Sequence, residues 1–165
     1  MDIKRIIKHL SVSRAALHRS FPRATLDNIE RTITEVEQAH AGQIRFAVEH
    51  ALDIKPLLAA QTARQRALEV FSQLHVWDTE HNNGVLIYLL LADHDVEIVA
   101  DRGVHSRLGQ AVWESVCQEM EAAFRAGKFE EGVIAGIRSV GAHLARHYPQ
   151  EGSKINELSD RPVLI

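Results

Sequence analysis

The chain has 165 residues, of which 45% are apolar and 25% are charged, the proportions of one globular domain with a full core. Its net charge of −3 gives no electrostatic support for nucleic-acid binding. The single cysteine, Cys117, excludes an internal disulfide and a thiolate-rich metal site. No window holds the roughly 18 apolar residues that a membrane span requires, so we expect a soluble, cytoplasmic protein without a transmembrane segment.

The N-terminal segment, residues 1–24, is predicted to be a basic amphipathic helix. Helical spacing over residues 2–19 puts the apolar side chains on one face and the basic ones opposite; the apolar set is Ile3, Ile6, Ile7, Leu10 and Leu17. We expect the apolar face to pack on the domain, with the Lys and Arg residues solvated. The alternative is a cationic helix that makes peripheral contact with anionic lipid or with an unknown protein partner.

The main domain is predicted over residues 25–148 and begins with a helix, a strand and a second helix. Thr25 is a candidate N-cap for the helix that Gly42 ends. The alternating stretch Gln43–Glu49 indicates a half-buried strand. Pro56 suits the first turn of the next helix, whose expected buried stripe is Ala67, Leu68, Phe71 and Leu74.

A β-hairpin and two long helices complete the prediction. Gly84–Leu91 is apolar throughout, which is typical of a central strand, and Val96–Ala100 returns antiparallel after a tight turn. The helices are expected over about 106–125 and 128–147, and residues 149–165 form an irregular strap. A helix between the first two strands predicts a parallel, right-handed crossover. The fold class is therefore α/β: a three-layer α/β/α sandwich with a small mixed sheet, a central β-hairpin and an extra N-terminal helix.

Potential ligand groups converge where the hairpin's first strand starts and its second strand ends. Four carboxylate and amide side chains there are of the type that hard cations such as calcium prefer: Asp78, Asn82, Asn83 and Asp101. Arg102 could bind an anion, and Gly84 and Gly103 allow tight backbone paths. The spacing does not match an EF-hand loop. The alternative makes these residues turn formers and a helix cap.

Histidines offer weaker candidates for a softer metal. His143 and His147 lie four residues apart on one helical face, a spacing that can chelate zinc or nickel, but we expect surface imidazoles. His81 and His105 fall near the favoured end of the sheet. The opposite end collects a second, poorer polar set, which comprises His50, Asp53, Asp93, His94 and Asp95. Cys117 is expected to be a buried, inert thiol.

Several ordered motifs resemble the TPM domain family over about residues 40–163. They are RALEVF (66–71), VWDTEHNNGVLIYLLL (76–91), VEIVADRG (96–103), the Trp113…Met120…Phe124 helix and HYPQ…INELSDRPV (147–163). The chain is most similar to a small soluble bacterial branch, whereas better-known members carry a signal peptide and often an anchor. The resemblance implies a three-layer sandwich and a divalent metal, calcium above others. The positions at stake are Asp78, Asn82, Asn83, Gly84, Asp101, Arg102 and Gly103.

These observations predict a metal-binding domain of poorly defined cellular role and leave two alternatives. One is an interaction module with neither metal nor catalysis. The other, implied by a plant member of the family, is weak metal-assisted acid phosphatase activity, in which Arg102 and the metal would neutralise phosphoryl oxygens. The chain has no Cys-x5-Arg and no Asp-x-Asp-x-Thr motif, so we assign no catalytic residue.

Overall fold

The computed structural model describes residues 2–150, 152 and 155–165, so the predicted N-terminal segment and strap lie in part outside the described residues. The elements in chain order are α1 (Ile3–Ser11), α2 (Arg14–Ser20), α3 (Arg23–Glu37), β1 (Gln43–Glu49), α4 (Ile54–Leu58), α5 (Ala63–Gln73), β2 (Gly84–Leu90), β3 (Asp95–Ala100), α6 (Arg102–Leu108), α7 (Gln110–Arg125), α8 (Phe129–His147) and β4 (Val163–Leu164).

The four strands form one mixed sheet in the order β3-β2-β1-β4. β1 runs parallel to β2, with Gln43 opposite Gly84, and β2 pairs antiparallel with β3, with Val85 opposite Ala100. Every residue of β2 is buried, because the strand has a neighbour on each side and helices over both faces. The predicted parallel pair and central hairpin are confirmed.

Helices cover both faces of the sheet, and the three-layer prediction is confirmed. Alternate strand residues such as Phe46 and Ile87 pack with α3, α7 and α8 in one core. Intervening residues such as Ala47 and Tyr88 pack with α4 and α5 in a second core. The alternation follows from the two-residue period of a strand.

The N-terminal segment forms two helices rather than one. Val12 and Ser13 have extended backbone, and the Ser13 side chain accepts a hydrogen bond from the Ala16 amide. The expected packing of the apolar face also differs from the structure, since Ile3, Ile7 and Leu10 are exposed. The cause is a set of polar contacts on the other side of α1, described below.

Three further helix predictions differ in detail. The helix expected around Pro56 is two helices, α4 and α5, and Leu68 on α5 is exposed. α3 begins two residues before Thr25, with Pro22 as its N-cap. The helix expected from residue 106 begins at Arg102 and is interrupted at Gly109, whose φ of 74° ends α6, a conformation that glycine adopts without steric cost.

The C-terminal strap contributes a strand that the sequence prediction missed. Val163 and Leu164 pair parallel with Ala47 and Val48 of β1. The Ile165 amide then donates to the Val48 carbonyl at 2.9 Å. The tail therefore closes one edge of the sheet, where β1 would otherwise expose unpaired backbone groups.

Candidate functional site

The predicted site lies where β2 begins and β3 ends. The Asp101 amide donates to the Gly84 carbonyl at 2.8 Å, which continues the hairpin ladder past Ala100. The turn over residues 78–83 and the start of α6 at Arg102 are thereby neighbours. This juxtaposition follows from antiparallel pairing and was predicted from the hairpin pattern.

Two glycines permit close backbone approach at this end of the sheet. A methyl group on Gly84 would lie 2.0 Å from the Val76 carbonyl oxygen, and one on Gly103 would lie 2.5 Å from that of Asn82. Both distances are far inside van der Waals contact, and the obstructing atoms are backbone. The predicted tight paths at Gly84 and Gly103 are present, and they bring the carbonyl of Asn82 against the first turn of α6.

Asp101 and Asn83 supply buried oxygen atoms that lack hydrogen-bond donors among the described residues. Asp101 caps α6, with Oδ1 accepting from the Arg102 amide at 2.7 Å. Asn83 Nδ2 donates to the Ala41 carbonyl at 2.9 Å. Asp101 Oδ2 and Asn83 Oδ1 are buried with no partner among residues 2–150, 152 and 155–165. Buried acceptors of this kind ordinarily contact a protein donor, a water molecule or an ion.

Asn82 and Asp78, the other two predicted ligands, occupy the outer part of the same turn. Asn82 has a φ of 51°, a left-handed conformation that asparagine tolerates. Its Oδ1 accepts from Arg102 Nε and Nη2 at 3.3 and 3.4 Å, so a guanidinium already occupies this oxygen. Asp78 is exposed, and its amide closes a turn to the His75 carbonyl. The structure thus separates a buried pair from an outer pair.

The C-terminal strap adds a carboxylate that the sequence analysis did not consider. Glu157 Oε2 accepts from the Glu80 amide at 2.8 Å, while the Glu157 amide donates to Gln43 Oε1 at 2.9 Å. These contacts hold the strap against the start of β1 and the 78–83 turn. They join residues more than 70 positions apart and leave no periodic pattern in the sequence.

Tyr148 connects the end of α8 to the same region. Its hydroxyl donates to the Gly103 carbonyl, and the Arg107 guanidinium lies 4.4 Å from the ring centroid. Burial raises the pKa of Tyr148, the Arg107 charge lowers it, and the Asp101 carboxylate raises it further.

The remaining candidates have other surroundings. Within the described part of the chain, no three His, Cys, Asp or Glu side chains are placed to hold a metal together. The His143 ring packs edge-on against Trp113, with centroids 6.2 Å apart, and His81 and His105 are exposed. Cys117 is half-buried, and burial is the main cause that raises the pKa of its thiol to about 12, which agrees with an inert thiol.

One member of the polar set at the opposite end of the sheet, Asp93, holds α1 against the domain. Asp93 Oδ2 lies 2.9 Å from Arg5 Nε and 3.0 Å from His9 Nε2. Burial alone would raise the pKa of Asp93, but these two partners hold it below its ordinary value. The burial of the Asp93 carboxylate is thus explained by contacts within the protein.

Comparisons with known proteins agree with this fold. The chain is similar to the protein BA42 from the psychrophilic bacterium Bizionia argentinensis, whose NMR structure is 27% identical with a TM-score of 0.76, covering 86% of this chain and 93% of that one. The N-terminal domain of a P. gingivalis protein, 18% identical with a TM-score of 0.62 over 79% and 82% of the two chains, shares the fold.

No curated protein matches the chain. Among the described helices, none combines the length and the apolar character needed to cross a bilayer. The model of the TPM domain matches residues 18–143, which is most of the chain and includes every predicted ligand position. The protein belongs to the TPM domain family.

Proposed function

We propose that the protein binds a divalent metal, calcium above others, through Asn83 and Asp101 at the end of the β2–β3 hairpin. The observation that supports this is the pair of buried oxygen atoms, Asn83 Oδ1 and Asp101 Oδ2, which have no donor among the described residues. One belongs to an amide and the other to a carboxylate, and calcium takes both ligand types. Asp101 brings the negative charge, whereas Asn83 brings a neutral dipole.

The outer residues would complete or tune the site. Asp78 is an exposed carboxylate on the same turn, and Glu157 lies against the Glu80 amide. Arg102 disfavours cation binding at Asn82, since its Nε donates a hydrogen bond to Asn82 Oδ1 at 3.3 Å. Asn82 is therefore a ligand only if Arg102 moves away. The bound ion would neutralise the Asp101 carboxylate and so hold the 78–83 turn against α6.

Calorimetric titration of the full chain with calcium, magnesium and zinc tests the proposal. Asp101→Asn keeps a side chain that can cap α6 but removes the charge, and should weaken calcium binding by about tenfold or more. Asn83→Ala removes the buried amide oxygen and should also weaken calcium binding. Arg102→Gln should strengthen binding, because it removes a competing cation.

The matched control is Asp53→Asn. Asp53 is an exposed residue that precedes α4 and makes no side-chain cap bond, so its replacement should leave the titration unchanged. Wild-type protein that gives no heat with any of the three ions would contradict the proposal. So would an Asp101→Asn variant that binds calcium as tightly as the wild type, a result that assigns the buried oxygens to ordered water.

A further inference from the structure

Helix α1 exposes three of its four large aliphatic side chains, while Ile6 packs against the second core and Arg5 and His9 face the domain. Ile3, Ile7 and Leu10 are 61%, 62% and 65% exposed, and they recur at the three- and four-residue spacing of one helical stripe. His9 is buried, and Arg5 has only 23% of its side chain exposed. A surface helix ordinarily has the reverse arrangement, so the exposed stripe needs a physical explanation.

Polar contacts fix the rotation of α1. Arg5 and His9 both reach Asp93 in the hairpin turn, at 2.9 and 3.0 Å. Arg5 Nη1 also donates to the Gln61 carbonyl at 2.9 Å, and the Leu52 amide donates to His9 Nδ1 at 3.0 Å. The helix cannot roll Ile3 and Ile7 inward without breaking these four contacts to the domain. The outward stripe is thus held in place by the fold.

Helix α4 enlarges the exposed apolar surface. It contacts α1 and buries Leu57 in the second core, while Ile54 and Leu58 remain 61% and 56% exposed. Five large aliphatic side chains therefore lie open on two touching helices. Single exposed apolar residues are ordinary on protein surfaces, but a group of this kind indicates an interaction site.

The charges beside this surface indicate what it binds. Helix α1 carries three Lys and Arg residues, Lys4, Arg5 and Lys8, of which Arg5 is paired with Asp93. The one acidic residue at this helix is Asp2, whose carboxylate caps α1 by accepting from the Lys4 amide. The rest of the chain has an excess of acidic residues. Lys4 and Lys8, four residues apart, border the apolar stripe by helical periodicity. An isologous dimer through α1 would bring these lysines against their copies, whereas an anionic lipid surface would complement them.

We propose that α1, together with α4, docks the domain on an anionic membrane surface. Ile3, Ile7 and Leu10 enter the boundary between headgroups and acyl chains, and Lys4 and Lys8 extend to the lipid phosphates. The docking surface lies at the Asp93 end of the hairpin. The proposed metal loops are at the other end, about 20 Å away along β2, so docking does not depend on the metal proposal.

Co-sedimentation of the full chain with lipid vesicles tests this proposal. Wild-type protein should sediment with vesicles of phosphatidylcholine and phosphatidylglycerol in equal parts, and only weakly with phosphatidylcholine alone. Ile7→Gln should lower the partition coefficient by about tenfold, and Lys4→Gln by about fivefold at low salt. Both positions are exposed, so circular dichroism should show an unchanged fold.

Leu68→Gln is the matched control, since Leu68 is a 49% exposed leucine on α5. This variant should bind vesicles as the wild type does. Three results would overturn the proposal: no sedimentation with the mixed vesicles, equal binding to neutral vesicles, or an equal loss in the Leu68 variant. Self-association that Ile7→Gln abolishes, measured by sedimentation velocity without lipid, would assign the surface to a second copy and would overturn it as well.

Discussion

Replacing Arg66 by methionine should destabilise the fold by about 3–5 kcal/mol, because it leaves a buried carboxylate unpaired. Arg66 Nε and Nη2 donate to the two carboxylate oxygens of Glu49 at 2.8 and 3.1 Å, and the Tyr88 hydroxyl donates to Glu49 Oε2 at 2.6 Å. The side chains of Arg66 and Glu49 are 17% and 8% exposed. Methionine preserves much of the side-chain volume but none of the donors.

The pKa directions agree with a tightly held network. Burial alone would lower the pKa of Arg66, but its hydrogen bonds to Glu49 and Glu69 raise it above the ordinary arginine value. Burial and the Glu49 carboxylate raise the pKa of Tyr88. In the Arg66→Met variant, Glu49 loses its counter-charge and keeps only the Tyr88 hydroxyl among these donors.

Urea denaturation measures the effect, and the double variant Glu49→Gln/Arg66→Met is the control. It removes both charges, so it should be more stable than Arg66→Met alone. For a chain of this size the single change should lower the melting temperature by roughly 10 °C. A loss below about 1 kcal/mol, the scale of an exposed ion pair, would refute the inference that this network is desolvated.

Two further predictions concern the hairpin. Burial and the carboxylates of Glu97, Glu121 and Asp93 raise the pKa of Asp95 to about 6. The folded state therefore takes up a proton at Asp95 more readily than the unfolded chain does. The free energy of unfolding should fall as pH rises from about 4 to 6. Asp95→Asn should therefore stabilise the protein by about 1 kcal/mol near pH 8, after allowance for solvent screening. Near pH 4 the gain should be small. An equal gain in the free energy of unfolding at both pH values, measured by urea titration, would argue against this cause. Gly84→Ala should destabilise by more than about 2 kcal/mol, because the added methyl meets the Val76 carbonyl at 2.0 Å. Gly136→Ala, whose nearest obstruction is the flexible Met120 side chain, should be milder, and equal thermal shifts would contradict the backbone-clash explanation.

The fold was largely predictable because its central elements have strong local patterns. The apolar run of β2 and the turn before β3 specify a hairpin without reference to the rest of the chain. β4 is different, since two residues, Val163 and Leu164, carry no recognisable period. The strand exists because the edge of β1 offers unpaired backbone groups, and that information is distant in the sequence.

The orientation of α1 shows where helical periodicity is insufficient. The pattern correctly identified an amphipathic segment, but the rule that the apolar face packs inward was wrong for Ile3, Ile7 and Leu10. The decisive group is Asp93, 88 positions from Arg5. Long-range ionic contacts of this kind are invisible to a local pattern, and here they determine which face of α1 meets the domain.

The same distinction applies to the candidate site. Residue type and hairpin geometry placed Asp78, Asn82, Asn83 and Asp101 in neighbouring loops. Their division into buried and outer pairs depends on contacts with distant residues, for example the Asn83 amide on the Ala41 carbonyl. Arg102, predicted only as an anion-binding residue, takes up Asn82 Oδ1 and so competes with a cation.

The pairing of the buried carboxylates separates the two ends of the hairpin better than the number of polar residues does. At the turn end, the Asp93 carboxylate accepts from Arg5 Nε at 2.9 Å. His9 Nε2 lies 3.0 Å from the same oxygen, so the fold itself explains the burial of this carboxylate. At the loop end, Asp101 Oδ2 and Asn83 Oδ1 are buried without a donor among the described residues. An unpaired buried acceptor costs about 1–3 kcal/mol, so these two atoms favour the proposal that a ligand from outside the chain satisfies them. The loop end is therefore where a ligand is expected.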